Sequence, residues 1–467
     1  MIGSAWGVGG TVLTQIIAFL VLAILARHLD ARDFGVVALV IVSIELTRDL
    51  MLAGLPDYLV RERDWNERIA ASGFYFQIGA SLVLALLAGV GGMALAAVGR
   101  ETVGNVMLVL AVCYPIDAIA AIPLARLRHG IRYQAISAAM VTGGLASAAV
   151  SIFVVLNDGG LWALVYGRIA GAVVNAAAVL LLARWTPSSG PSFHALRPVW
   201  RISLSLAGSR LLNILNLRVT DLIVGAVGGT TVLGLYQLAT RGVTFLLQAI
   251  LAPIQSVALS AFSSASGRDE VVNAAHRMFG ATAILVFPAA AGLSAISPEF
   301  VEIAFGDRWA DLALPAGIVA LTAIPAVVNY LLTPILIKLD RSAEIMRFSL
   351  ILTGTSAAIA AGTAPFGITI VAIGFVSRSV VGCFVSLSIL KRDLGVSVVQ
   401  FLKPLAVPFL GALLVFAVVF VCRVYLSNYA AAVRGFFLVI AGIMAYVPFF
   451  FFYLTRRENS RLVDWRT

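Results

Sequence analysis

Charge is scarce in this chain: Asp, Glu, Lys and Arg make up 12% of 467 residues, with only three cysteines and four histidines. The cysteines, Cys113, Cys383 and Cys422, all lie within or at the end of apolar runs. That excludes a disulfide framework and says little about redox compartment. His28, His129, His194 and His276 are scattered through polar connections without ligand spacing, so no metal is expected. No G-x-x-x-x-G-K-[ST] loop occurs, which argues against ATP hydrolysis. Nothing has the pattern of a hydrolytic triad or of paired carboxylates in an exposed domain. The longest stretch between apolar runs, about 184–201, has fewer than twenty residues. A soluble catalytic domain does not fit there, and neither enzyme activity nor a cofactor is expected.

Apolar sequence is what the chain has in quantity. Hydrophobic residues make up 61% and the mean hydropathy is +1.00, whereas about half of an ordinary globular domain is apolar. Runs of 18 or more apolar residues recur along the whole length, each a candidate to cross a bilayer. The expected fold is an all-α polytopic membrane protein of about fourteen transmembrane helices. The spans fall at roughly 5–26, 34–55, 69–98, 103–125, 135–156, 160–183, 202–228, 232–260, 277–298, 312–337, 345–365, 368–390, 400–424 and 432–455. The first lacks a basic n-region and runs too long for a signal core, so it is expected to persist as a helix.

A net charge of +10 could suggest nucleic acid, but the basic residues punctuate the ends of spans instead of forming a tract. Loops after even-numbered spans and the tail hold 21 of the 33 Lys and Arg, loops after odd-numbered spans hold six, and six lie within spans. By the positive-inside rule both termini are expected in the cytoplasm, with no nucleic-acid partner.

The first six spans recur faintly about two hundred residues on. Gly35 after span 1 answers Gly234 after span 7, Pro115 and Pro123 in span 4 answer Pro325 and Pro334 in span 10, and Arg168 answers Arg378. These offsets are 199, 210, 211 and 210. Two six-helix lobes, 1–190 and 191–395, are therefore expected to be related by a pseudo-twofold axis along the membrane normal, with an appended helix pair and tail at 396–467. Prolines at matching places in two halves point to a central binding site.

Six arginines lie within spans: Arg48, Arg168, Arg210, Arg218, Arg241 and Arg378. Four acids share that depth: Glu45, Asp49, Asp117 and Asp221. A charge at mid-bilayer costs roughly 2.5–3.5 kcal/mol even on lenient insertion scales, so such residues face a cavity or a partner. Helical spacing puts Glu45, Arg48 and Asp49 on one side of span 2, and Arg210, Asn213, Arg218 and Asp221 on one side of span 7. Gln237, Arg241, Thr244, Gln248 and Gln255 form a polar stripe on span 8, while Arg168 and Asn175 share a face of span 6. A common hydrated lumen with surplus positive charge is one reading, and arginine's planar fork suits phosphate in it. Internal pairs Arg48–Asp49 and Arg218–Asp221, with Arg168 and Arg210 snorkelling to the interface, are the other. The acids offer a site for ion coupling, since a carboxylate in a low-dielectric cavity can alternate between protonated and paired states. The aromatic run from Tyr446 to Tyr453 reads as an interfacial belt, or as part of a groove for a lipid tail.

The segment Leu25-Ala-Arg-His-Leu-Asp-Ala-Arg-Asp-Phe-Gly35 resembles the stretch after the first span of bacterial lipopolysaccharide and exopolysaccharide flippases. Phe305-Gly-Asp-Arg-Trp309 is similar to their loop between spans 9 and 10, and Asp221 with Leu233-Gly-Leu-Tyr236 to their span 7–8 hairpin. The resemblance is clear over residues 1–395. It departs at Ile254–Ser263, where these proteins commonly carry a proline. That group belongs to the superfamily of multidrug, oligosaccharidyl-lipid and polysaccharide exporters. Membership would imply two lobes around a central cavity and alternating access. The cargo would be an undecaprenyl-pyrophosphate-linked oligosaccharide, moved from the cytoplasmic to the periplasmic leaflet of the bacterial inner membrane. The implied partners are that lipid-linked oligosaccharide, membrane lipids, and a polysaccharide polymerase with chain-length proteins. The alternative is a multidrug/cation antiporter of the multidrug and toxin extrusion type.

Overall fold

A computed structural model describes residues 2–51, 54–197, 199–263 and 267–464. Among the described residues the chain is helical throughout, without strands. Apolar chain in lipid must satisfy every N–H and C=O internally, and a helix does so within one segment.

Backbone contacts divide the chain into two compact units, Met1–Gln237 and Leu238–Thr467. The first contains α1 (Ile2–Ala26), α2 (Ala31–Met51), α3 (Leu55–Arg61), α4 (Glu67–Ala97), α5 (Glu101–Leu110) and α6 (Cys113–His129). It continues with α7 (Tyr133–Leu156), α8 (Trp162–Ala183), α9 (Phe193–Leu196) and α10 (Trp200–Ile223), then a π-helical turn at Val224–Gly228. The next helix, α11 (Gly229–Ser263), contains the boundary. Within this unit α7 packs on α1 and α8, α4 and α8 pack on α6, and α10 lies against α2 and α3. The second unit comprises α12 (Arg268–Ala295), α13 (Ser297–Phe305), α14 (Ala313–Ala320), α15 (Ala323–Lys338), α16 (Ser342–Thr363), α17 (Ile368–Leu394), α18 (Val398–Tyr425) and α19 (Ala431–Asp464). Here α12 is central, against α15 and α18, while α17 packs on α14, α15 and α16.

Among the described residues eleven helices are long and apolar enough to cross a membrane, or twelve if the bent pair Asp307–Ala320 and Ala323–Lys338 is one span. The expected fourteen are thus not all met by length and composition. Part of the shortfall has a physical cause in α2, where every 18-residue stretch carries at least three charged side chains. The residues that make α2 interesting also disqualify it as a plain apolar span.

Two expected spans are interrupted at matching places. One breaks at Ala111–Val112 between α5 and α6, the other at Leu321–Thr322 between α14 and α15, 210 residues on. In each, the second helix has proline at its third position, Pro115 and Pro325. Proline has no N–H to continue the ladder, and helices usually end before it. At the second break the Ser379 hydroxyl donates to the Thr322 carbonyl at 3.0 Å, which also accepts the Ala326 N–H at 3.2 Å. The two helices meet there at 43°.

Small residues set several crossings. A Cβ at Gly92 in α4 would stand 2.7 Å from the Gly104 carbonyl oxygen of α5, and a Cβ at Gly104 would overlap the Gly92 carbonyl in turn. Without a hydrophobic force between helices in lipid, such close backbone approach provides the packing.

Helices α18 and α19 are joined to the rest of their unit by charge. Glu299 of α13, 1% exposed, accepts from Arg423 Nε of α18 at 3.0 Å and Arg434 Nε of α19 at 2.7 Å. Arg434 also reaches Glu302 at 3.3 Å. Gly104→Val should force α4 and α5 apart and cost about 1–3 kcal/mol, while Gly79→Ala, at a site with open space, should leave stability unchanged. Thermal unfolding of the two variants in detergent compares them directly.

Candidate functional site

The charges of α2, α6 and α10 meet in one cluster. Arg48 in α2 donates from Nε to Asp49 at 3.4 Å and from Nη1 to Asp117 of α6 at 3.1 Å. Arg218 in α10 donates from Nη2 to Glu45 of α2 at 2.9 Å and from Nη1 to its own Asp221 at 3.3 Å. Asp49 and Asp221 are buried, at 8% and 6% exposed. The hydroxyls of Thr47 and Tyr114 are hydrogen-bonded beside them. Apolar packing closes one side: Val36, Val37, Val40 and Ile44 of α2 meet Leu110, Cys113 and Tyr114, with Val165 of α8. The site is thus a polar seam backed by a dry core.

Both local pairs offered by helical spacing exist. Each guanidinium also reaches a second helix, which spacing along one helix cannot reveal. Four carboxylates here surround two guanidinium groups. All four intramembrane acids lie on spans that pack together, and they saturate the two nearest arginines.

The other arginines stand elsewhere. Arg168 of α8 is half-buried, and among the described residues it has no ion pair or hydrogen bond. Arg378 of α17 donates from Nε to the Ser356 hydroxyl of α16 and lies 5.7 Å from the centre of the Phe375 ring. Arg241 is exposed. The side chains of Arg210, Asn213 and Gln248 lie outside the described residues. Arg241 and Arg378 belong to the second unit, the clustered arginines to the first.

Sequence reasoning missed three features. Glu299 was assigned no role, and Arg423 and Arg434 counted only as loop charges. A buried acid opposite two arginines more than a hundred residues later leaves no local pattern. Asn329 of α15 was also missed. It donates to the Ser379 carbonyl at 3.2 Å and accepts from the Ser386 hydroxyl at 2.8 Å, fixing α15 to α17. The third is an apolar cavity of about 620 Å³ between α12, α18 and α19, lined by Pro288, Gly292, Val415, Leu438, Tyr446 and Phe450 among others. Tyr446 faces inward and donates to the Ile284 carbonyl at 2.6 Å, so this part of the aromatic run does not belong to an interfacial belt.

A family model described as "Polysaccharide biosynthesis protein" matches residues 24–314. The chain is similar to the succinoglycan biosynthesis transport protein ExoT of Rhizobium meliloti (strain 1021), 22% identical over 68% of this chain and 65% of that protein. It is similar to the lipopolysaccharide biosynthesis protein WzxC of Escherichia coli (strain K12), 22% identical over 66% of this chain and 63% of that one. The match thus spans slightly less than two thirds of either relative. Among solved structures, the lipid II flippase MurJ in an inward closed conformation superposes with TM-score 0.81 at 11% identity, over 96% of this chain and 99% of that one. A multidrug resistance MATE family transporter in an inward-facing conformation gives TM-score 0.66 at 14% identity, over 82% and 94%. At such identities these two likenesses show the fold.

Removing one member of the cluster should cost more than removing a pair. Arg218→Gln removes the ion-pair partner of Glu45 and is expected to destabilise by about 1–3 kcal/mol. The double variant Arg218→Gln/Glu45→Gln should recover part of that loss, as read by thermal stability in detergent.

Proposed function

Because the chain belongs to the polysaccharide biosynthesis protein family, we propose that it is a flippase for a lipid-linked saccharide. It carries an undecaprenyl-pyrophosphate-linked oligosaccharide from the cytoplasmic to the periplasmic leaflet of the bacterial inner membrane, for O-antigen or exopolysaccharide assembly. One observation carries this reading beyond family membership: a cluster of six charged side chains joins three helices of an otherwise apolar chain. Lipid does not solvate such a cluster, which supports a polar path through the protein. Both termini are cytoplasmic in this reading. Residues 1–190 and 191–395 form two lobes that alternate in exposing the path, and 396–467 is an appended pair.

The arginines divide the work. Arg48 and Arg218 each serve two carboxylates, so their main effect is to position those acids. Arg168 and Arg378, with Arg210, Arg241, Asn213 and Gln248, hold the pyrophosphate and the sugars, for which guanidinium forks are suited. Glu45, Asp49, Asp117 and Asp221 stand together in a polar seam, where carboxylates offer a site for an ion. That supports coupling to an ion gradient. The released saccharide passes to a polysaccharide polymerase and chain-length proteins.

In the native host, deleting the protein should make undecaprenyl-linked repeat units accumulate on the cytoplasmic side and lower surface polysaccharide. Unchanged glycan together with altered drug tolerance would instead indicate a multidrug/cation antiporter. Arg168→Gln and Arg378→Gln are expected to lower export, with lysine restoring it only in part because it lacks the planar fork. Normal export by folded Gln variants would remove these residues from the cargo path.

A further inference from the structure

Two glycines that answer each other in the internal repeat also touch each other. Gly35 lies one turn into α2, and Gly234 little more than one turn into α11, 199 residues later. A Cβ on Gly35 would overlap the Thr230 carbonyl and stand 3.0 Å from the Gly234 nitrogen. A Cβ on Gly234 would overlap the Ala31 carbonyl and stand 3.0 Å from the Gly35 nitrogen. Thr230 precedes Gly234 by four residues, as Ala31 precedes Gly35, so the contact is reciprocal residue for residue. Such reciprocity is the mark of a twofold contact, in which one surface meets its own counterpart. A local pseudo-twofold therefore passes between these glycines.

At the two glycines this crossing brings backbone against backbone. Helices that meet this way in lipid are held by close van der Waals contact and weak Cα–H···O interactions. About 15 Å deeper along α2, Glu45 accepts from Arg218 of α10 at 2.9 Å. Further on, a Cβ at Gly54 would stand 2.9 Å from the Ala207 nitrogen of α10. The seam of α2 against α10 and the start of α11 is therefore shut at its outer end, at mid-depth and at its inner end.

We infer that the Gly35–Gly234 crossing is the outer gate of the transport path, and that the Glu45–Arg218 bond is the latch beneath it. This rests on the transporter reading above, and on the arginine asymmetry that puts the loops after odd-numbered spans outside. Cargo release requires α2 to part from α11 here. Gly35 and Gly234 permit the closed state, because any larger residue at either one holds the helices apart.

Ala31 and Thr230, both only partly buried, are the positions to tether. The full-length Ala31→Cys/Thr230→Cys variant, treated in intact cells with a short cleavable bis-maleimide, should cross-link and lose polysaccharide export. Cleaving the linker should restore it, while each single cysteine variant exports normally throughout. Gly35→Ala/Gly234→Ala should lower the yield of the same cross-link in a background carrying the two cysteines, and Gly79→Ala should not. Export at the untreated rate with the pair fully cross-linked, or failure of the pair to cross-link at all, would overturn the gate. Surface polysaccharide that persists in cells lacking the protein would overturn the transporter reading and the gate with it.

Discussion

Four carboxylates and two guanidinium groups hold α2 to α6 on one side and to α10 on the other, and the arrangement of the first unit follows from keeping them satisfied. At 4 Å and an effective dielectric constant near 20, two unit charges attract by about 4 kcal/mol. Placing one charge at mid-bilayer costs roughly 2.5–3.5 kcal/mol on the insertion scale. The two are of similar size, so the cluster stabilises the fold little beyond neutrality. Its effect is to specify geometry: α2 fits its neighbours only in the register that brings Arg48 to Asp117 and Arg218 to Glu45. A buried ion network is weak evidence for stability and better evidence for a required arrangement.

Around that cluster the packing relies on small residues. Leucine on one helix has no preference for leucine on another over a lipid chain, so apolarity alone does not select partners. Gly92 against Gly104 and Gly35 against Gly234 do select, because only a residue without a side chain allows those backbones so close. The breaks before Pro115 and Pro325 interrupt two helices at matching places, and at the second Ser379 ties α17 to the Thr322 carbonyl. Charge, glycine and proline carry the specific information in a chain whose bulk is interchangeable.

This division explains what could be read from sequence. Run lengths placed nearly every helix, since a bilayer imposes one length and one backbone geometry. The paired prolines located both interruptions, and the i,i+1 and i,i+3 spacings found Arg48–Asp49 and Arg218–Asp221. The links that join helices were not legible. Asp117 and Glu45 lie 69 and 173 residues from their arginines, and no periodicity along one helix encodes a partner on another. Glu299 escaped notice because a lone acid near the end of a span has no pattern at all.

Glu299 bears on how the chain matures. Its two arginine partners come from the last two helices, and Arg434 follows it by 135 residues. At ribosomal speeds of about 5–20 residues per second, roughly 7–27 s pass between the synthesis of that acid and of its final counter-ion. During that interval α13 cannot settle into its completed position, because a carboxylate without a cation resists leaving water. Assembly of the second unit thus finishes only when the C-terminal hairpin arrives, and a ribosome that stalled before it would leave behind an unfinished protein, ready for quality control to find.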